Sequence, residues 1–490
     1  MSIIKKNFVS ILFLFIFYFC KAENIKNSIT DNRPNILLAI SDDQSWCHAS
    51  AYGDKTVDTE NFDKIAKNGL LFNYAFSAAP SSTPSRASIL TGQNIWRLEE
   101  GSQLFGCLPS KFETYVELLE KNGYFVGYMK KGWGPGDYKK GDRSYNPAGK
   151  SFDSFEDFLK SVPDGKPWCF WYGSFDPHRG YEKYSGVKSG INLDNIIIPD
   201  FLPNDTVISS DIADYYYEIK RYDKELGDIL NLLERKDIFN KTLIVATSDN
   251  GMPFPRSKAT LYDFGVRIPL AICWGDRIVK DRKIDDFVSL IDLAPTFLDV
   301  AKVNIPKKMT GKSLLNIIMS KDSGFIEKDR FFVTSGRERH AWCRKNGIGY
   351  GSRMIRTHHY LYIYNYDDDR WPAGDPDIVT NEGHFGDVDA SPSKLFILNN
   401  RKNSGMYKFY KLSFLKRPKE ELYDCINDPY QIINLADNKN YTHIKKELSN
   451  LLFKYLRKTN DPRESNKKIL WDKYPYYGRN NWQKRPFEEL

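Results

Sequence analysis

Cysteine is sparse in this 490-residue chain: there are seven, and no two are spaced as Cys-x-x-Cys, which excludes the thiolate metal sites built on that spacing. Six lie past residue 22, namely Cys47, Cys107, Cys169, Cys273, Cys343 and Cys425. Cys169 and Cys273 fall in apolar runs and read as buried thiols, and the set leaves room for one or two disulfides. Long apolar runs are missing too. The N-terminal one, residues 11–19, is too short to cross a bilayer, and no other is longer, so no stable membrane insertion is expected. Nor does one sign of charge dominate: 71 Lys and Arg stand against 63 Asp and Glu, a net charge of +8. That mild surplus suits an anionic substrate or a solvated lysine-rich surface equally, and no nucleic-acid partner is expected. Internal repeats and low-complexity linkers are absent. What is present, 41% hydrophobic and 27% charged residues, is the composition of a folded chain. Its length exceeds one small core, so two unequal domains are expected.

Residues 1–22 resemble a secretory signal: Lys5 and Lys6, the apolar run 11–19, then Cys20-Lys21-Ala22 with small residues at the cleavage positions. The mature chain then begins at Glu23, exported to a periplasm or secreted. Phe19 is too bulky for the residue before a lipidated cysteine, so no lipid anchor on Cys20 is expected.

Strand patterns occur at 35–41 and 242–248, apolar runs of the buried kind, at 124–129, and at 168–175, which is rich in aromatics. Helical spacing occurs at 60–68, where Gly69 can cap, at 112–122, at 289–300, and at 211–236, where Ile212, Tyr216, Ile219, Tyr222, Leu226, Ile229 and Leu233 share one face. This alternation predicts an α/β fold with a doubly wound, mostly parallel sheet over residues 33–352. Past residue 353 the texture changes to an alternating aromatic strand at 353–365, long polar loops at 366–405 and an amphipathic helix at 447–458. A smaller C-terminal domain, an antiparallel sheet with a packed helix, is expected over 353–490.

Open α/β sheets carry their sites at the carboxyl ends of the strands. The four strands deliver, in order, Asp42-Asp43, Lys130-Lys131, Asp176-Pro177-His178 and Asp249-Asn250-Gly251. Hard oxygen donors of this type suit Ca²⁺, and less well Mg²⁺; Asp42, Asp43, Asp249 and Asn250 are the expected ligands. The lysines suit an anionic group and His178 a proton donor. Taken singly, each of these is also an ordinary charged turn. The stretch 77–92 adds a helix entry, with Ser82 as N-cap, Thr83-Pro84 in the first turn, Arg86 one turn on and Gly92 as a stop. Such an entry is an anion site by its free N–H groups and dipole, and on five residues alone it is equally a capped helix.

Ser82-Thr83-Pro84-Ser85-Arg86-Ala87-Ser88-Ile89-Leu90-Thr91-Gly92 resembles the signature of the type I sulfatases. Residues 34–43, Asp176-Pro177-His178, Ser248-Asp249-Asn250-Gly251, Lys258, 289–296 and 421–429 match further segments of that family, over about residues 33–460. Asp249-Asn-Gly-Met-Pro-Phe-Pro255 resembles the branch holding heparan N-sulfatase and bacterial polysaccharide sulfatases. The resemblance implies an alkaline-phosphatase-like fold and a formylglycine made by oxidising Ser82, which joins the metal ligands, with Arg86, Lys131, His178 and Lys258 around it. It also implies a serine-type formylglycine-generating maturation enzyme and a sulfated carbohydrate substrate, an algal glycan such as ulvan or a glycosaminoglycan. One position departs: where many members have Gly-Lys-x-His, this chain has Trp133, a candidate for stacking on sugar. Arg339 and His340, in Gly336-Arg337-Glu338-Arg339-His340, are further candidate substrate contacts, and Trp342, Arg344, Arg370 and Trp371 candidate groove residues. The alternatives are a phosphoester hydrolase of the alkaline phosphatase superfamily, which shares the metal strands, and an inactive glycan-binding protein whose Ser82 is never oxidised.

Overall fold

The computed structural model describes residues 31–465, 467–479, 483–485 and 487; the leader sequence lies outside them. Eight strands form the main sheet: β1 (Asn35–Ser41), β2 (Gly69–Phe72), β3 (Phe125–Lys130), β4 (Lys150–Ser151), β5 (Trp168–Gly173), β6 (Thr242–Ser248), β7 (Leu270–Cys273) and β8 (Arg282–Ile284). Their order across the sheet is β4-β3-β5-β1-β6-β7-β2-β8. All neighbours are parallel except β7, which runs antiparallel to both β6 and β2.

The alternation of side chains along a strand sorts the core into two layers. Ile36, Leu38 and Ile40 of β1 face one layer, with Ala87, Ile89 and Leu90 of helix α1 (Ser82–Thr91). Leu37 and Ala39 face the other, with Tyr222, Leu226, Ile229, Leu230 and Leu233 of helix α2 (Thr206–Arg235). The helical face read from 211–236 is therefore the buried face. All ten residues of α1 are buried, and Gly92 ends it in a left-handed conformation, φ 63°.

A second, antiparallel sheet runs β9 (Phe332–Arg337), β10 (Ser352–Thr357), β11 (Tyr360–Asn365) and β12 (Glu420–Asp424) in that order. Its first strand precedes residue 353. Helix α3 (Thr442–Lys458) packs Leu448, Leu452 and Leu456 on Ile355, Tyr362 and Leu422, together with Ile95 and Trp96 from the region just past α1. The other face, with Met354, Leu361 and Ile363, packs on Phe76, Leu261 and Phe287. The small sheet is thus joined to the large one through a shared core beside α1.

Four expectations need correction. Residues 353–365 are a hairpin, not one strand, because the chain reverses at His358 and His359 between β10 and β11. The stretch 366–405 contains the helix Pro392–Asn400, which Ser391 caps through Lys394 N–H. Gly69 does not cap the preceding helix; it opens β2, pairing with Cys273. All six cysteines of the described chain are free thiols.

Candidate active site

The strand ends converge as the alternation requires. Asp42 and Asp43 leave β1, and Asp249 and Asn250 leave β6, its direct neighbour; Asp43 N–H donates to Asp249 Oδ1 (3.1 Å). Carboxylate oxygens of Asp42, Asp43 and Asp249 lie within 4.8 Å of one another, all buried. Asp43 has φ 73°, a left-handed conformation that costs free energy in a non-glycine residue and is common at functional sites. Asn250 Nδ2 donates to Asp43 Oδ1 (2.6 Å), while its Oδ1 is buried with no donor. Three carboxylates and an orphaned amide oxygen are a hard-oxygen set that fits a calcium or magnesium ion.

Helix α1 meets this cluster at its first residue. The N-cap is Ser81, not Ser82: Ser81 is extended and Ser82 begins the helix. Ser82 Oγ donates to Asp42 Oδ1 (3.2 Å), and Lys131 Nζ lies 3.2 Å from the same hydroxyl and 2.5 Å from Asp42 Oδ2. Arg86 lies one turn on. Its Nε donates to Asp249 Oδ2 (2.8 Å), its Nη1 to the carbonyls of Lys131 and Gly132 (3.0 Å each), and its Nη2, otherwise unpartnered, faces Asp42 Oδ1 at 3.6 Å. It ties α1, β6 and the exit of β3 together.

Lys258 closes the other side, 2.5 Å from Asp43 Oδ2 and 3.3 Å from Asp389 Oδ2. Burial works against the charge of Lys258, but Asp389 and Asp43 outweigh it and hold the ammonium well above its ordinary pKa. Burial also acts to raise the Asp42 pKa, and Lys131, His178 and Arg86 together bring it below the ordinary carboxylate value. Four carboxylates, Asp42, Asp43, Asp249 and Asp389, therefore face three cations, Arg86, Lys131 and Lys258. A dication added here leaves a positive cradle, and a sulfate-like anion offsets it.

His178 stands at the rim, 40% exposed, with Nε2 3.9 Å from Asp43 Oδ2. Its Nδ1–H donates to the Arg179 carbonyl (2.6 Å), leaving Nε2 toward the cleft. His340 also reaches the site: its Nδ1 is 2.8 Å from Ser81 Oγ, and burial pushes its pKa down to about 4, so it is neutral. These residues line a cleft of about 890 Å³. Lys130, at φ 59°, turns away from Lys131 to pair with Glu225 (2.5 Å).

The remaining candidates divide. Trp133 lines the cleft but is only 4% exposed, packed in the first core layer, so it presents little ring face to a sugar. Arg339 is not brought to the cleft: it is 1% exposed and donates to the carbonyls of Gly347, Tyr474 and Pro475. Trp342 lines the cleft; Arg344 is buried against Asp387 (2.5 Å), and Arg370 pairs with Asp472 (3.0 Å). The sequence reading missed Asp389, which sits in an acidic, glycine-containing loop with no strand end to mark it, and it missed the C-terminal residues Tyr476 and Arg479 on the cleft wall.

Comparison with known proteins bears on this geometry. The sequence profile of the Sulfatase family matches residues 34–303, more than half the chain, and that of the N-sulphoglucosamine sulphohydrolase C-terminal region matches residues 256–376. The chain is 26% identical over 454 residues to an ulvan-active sulfatase of Formosa agariphila, covering 89% of this chain and 82% of that one. It is 27% identical over 480 residues to the N-sulphoglucosamine sulphohydrolase of Homo sapiens, covering 87% and 91%. Among solved structures, a complex with the substrate D-glucosamine-2-N,6-O-disulfate superposes with a TM-score of 0.65 at 19% identity, over 89% of this chain and 100% of that one. The phosphonate monoester hydrolase of Silicibacter pomeroyi superposes equally well, at 0.65 and 16% identity over 91% and 100%. Superposition alone therefore speaks to architecture.

Proposed function

This chain belongs to the sulfatase family, and we propose that it is an exported sulfuric ester hydrolase that removes sulfate from a sulfated polysaccharide, ulvan first among the candidates, through a formylglycine made from Ser82. The observation that carries this reading is one hydroxyl, at the first residue of a helix beginning Ser-x-Pro-x-Arg, held 3.2 Å from both Asp42 and Lys131. The names of the two relatives support a sulfated glycan as substrate and leave ulvan and N-sulfated glucosamine as the choices to test.

Asp42, Asp43, Asp249 and Asn250 would hold Ca²⁺, which, when bound, draws charge from sulfate oxygens. Oxidised Ser82 would supply a carbonyl that hydrates to an oxygen nucleophile. The chain's own residues do the rest. Lys131 and Lys258 flank the acidic cluster from two sides and place positive charge where sulfate oxygens would sit, in a buried site where such charge acts strongly. Arg86 ties α1, which begins at Ser82, to the Asp249 carboxylate and to the Lys131 and Gly132 carbonyls at the exit of β3. His178, at the solvent rim with Nδ1–H held by the Arg179 carbonyl, would in its doubly protonated form donate the Nε2 proton to the departing sugar oxygen.

The test is covalent and catalytic. Peptide mass spectrometry of the exported protein should find residue 82 lighter by about 2 Da than serine, two hydrogens lost on oxidation. Ser82→Ala should release no sulfate from ulvan oligosaccharides or N-sulfated heparin oligosaccharides. Substantial release by that variant removes Ser82 from the mechanism.

A further inference from the structure

Five lysine and arginine side chains line the cleft, and four of them have a carboxylate partner within the protein. Lys130 pairs with Glu225, Lys131 with Asp42, Lys258 with Asp43, each at 2.5 Å, and Arg179 with Asp211 at 2.7 Å. Arg479 has no counter-charge among the described residues. It stands near the end of a C-terminal strap that is fastened along its length. Gln103 Nε2 donates to Trp471 O (2.7 Å), Gly349 N–H to Asp472 Oδ1 (2.7 Å), and Tyr477 N–H to Phe105 O (2.8 Å). Arg339 holds the Tyr474 and Pro475 carbonyls at 3.0 and 2.8 Å and lies against two rings, 5.4 Å from Trp342 and 5.5 Å from Tyr476. Its hold on the strap accounts for its burial.

The rings themselves form a continuous wall. Tyr476 is 5.2 Å from Phe105 and 5.6 Å from Trp342, centroid to centroid, and all three line the cleft. Close backbone approach sets them: a Cβ on Gly347 would lie 2.3 Å from the Trp342 ring, and one on Gly478 2.8 Å from Phe105. Half-buried aromatic faces beside a guanidinium that has no counter-charge among the described residues are a surface for a pyranose that carries a negative group. The rings cover its apolar face, and the planar fork binds carboxylate or sulfate with two N–H donors.

We propose that the strap forms a second anion subsite, in which Tyr476, with Phe105 and Trp342, packs on a sugar ring and Arg479 binds an anionic substituent of the glycan other than the sulfate being removed. This rests on the sulfatase reading above. Tyr476 and Arg479 then determine specificity, selecting doubly charged saccharide over a simple sulfate ester.

The test compares matured wild-type enzyme with Arg479→Ala, Arg479→Lys, Tyr476→Ala and Tyr476→Phe. The probes are ulvan oligosaccharides, heparin oligosaccharides and 4-nitrophenyl sulfate. Arg479→Ala should lower kcat/KM for the oligosaccharide that wild type cleaves about tenfold or more relative to 4-nitrophenyl sulfate, the scale of one charge-assisted contact. The loss should sit in KM, with partial recovery in Arg479→Lys. Tyr476→Ala should shift the same ratio, and Tyr476→Phe should restore it. Carboxyl-reduced oligosaccharides separate the two sources of the anion. If reduction costs wild type the same factor and Arg479→Ala nothing further, the partner is a carboxylate; if Arg479→Ala still loses, it is a second sulfate. Equal proportional losses on both kinds of probe, or no loss, overturn the subsite. Failure of wild type to release sulfate from any probe overturns the sulfatase reading itself.

Discussion

Asn250 shows what one side chain can disclose. Half of its amide is satisfied by Asp43, and the other half, Oδ1, is buried without a donor. Leaving such an oxygen unpaired costs about 1–3 kcal/mol, a cost that a cation removes. Calcium should therefore raise the Tm of the purified protein and chelation lower it, since a ligand bound only by the folded state stabilises by mass action. In Asn250→Ala the midpoint of the calcium titration should move to about tenfold higher concentration or beyond, followed by thermal unfolding in parallel calcium and magnesium series. A Tm indifferent to both ions would remove the metal assignment. Asp42, Asp43, Asp249 and Asn250 were legible because each follows a fully apolar run, and a buried strand must hand its next residues to the sheet edge. Asp389 follows no strand, so nothing local marks it, although it lies 3.3 Å from Lys258. His340 was legible by position only; its contact with Ser81 depends on where β9 docks beside α1.

Gly69 carries the corresponding lesson for elements. Its place after a helical run suggests a cap, yet it opens β2, where a Cβ would lie 2.0 Å from the Ile272 carbonyl of β7. Backbone of a central strand cannot yield as a flexible side chain would. Gly69→Ala should destabilise by about 3 kcal/mol, the upper part of the range for overpacking. Gly53→Ala, at φ 100° with nothing within 4 Å, should cost only about 1 kcal/mol from backbone strain. Urea unfolding of the two variants measures the difference, and equal losses would mean that the β2–β7 contact can relax. The strands β2 and β7 escaped the sequence reading because each is only four residues long. A short apolar run does not distinguish strand from buried helix, and nothing in it encodes direction. The longer strands were legible for the opposite reason: β1, β5 and β6 are buried on both faces along nearly their whole length, and even β3, half-buried at Phe125 and Tyr128, is apolar over most of its run.

Across the whole molecule, two histidines register pH. Burial drives the pKa of both His48 and His340 down to about 4. Each binds its proton more weakly in the folded chain than in the unfolded one, where the ordinary value is near 6.5. Their contribution to stability is thus complete above about pH 6.5 and is lost as pH falls toward 4, by roughly 3 kcal/mol for each. Thermal unfolding at pH 7.5 and pH 4.5 should show that loss, and replacing either histidine with glutamine should shrink the pH dependence. The antiparallel sheet was legible as a change in texture past residue 353, but not its first strand, nor the core it shares with the large sheet, nor that α1 would lie enclosed between them. That enclosure sets an order of events. With every residue from Ser82 to Thr91 shut inside, no second protein can grip this segment as an extended peptide after the chain has closed. If Ser82 is oxidised as proposed, that oxidation comes before folding, and a molecule that folds with its serine intact would keep it.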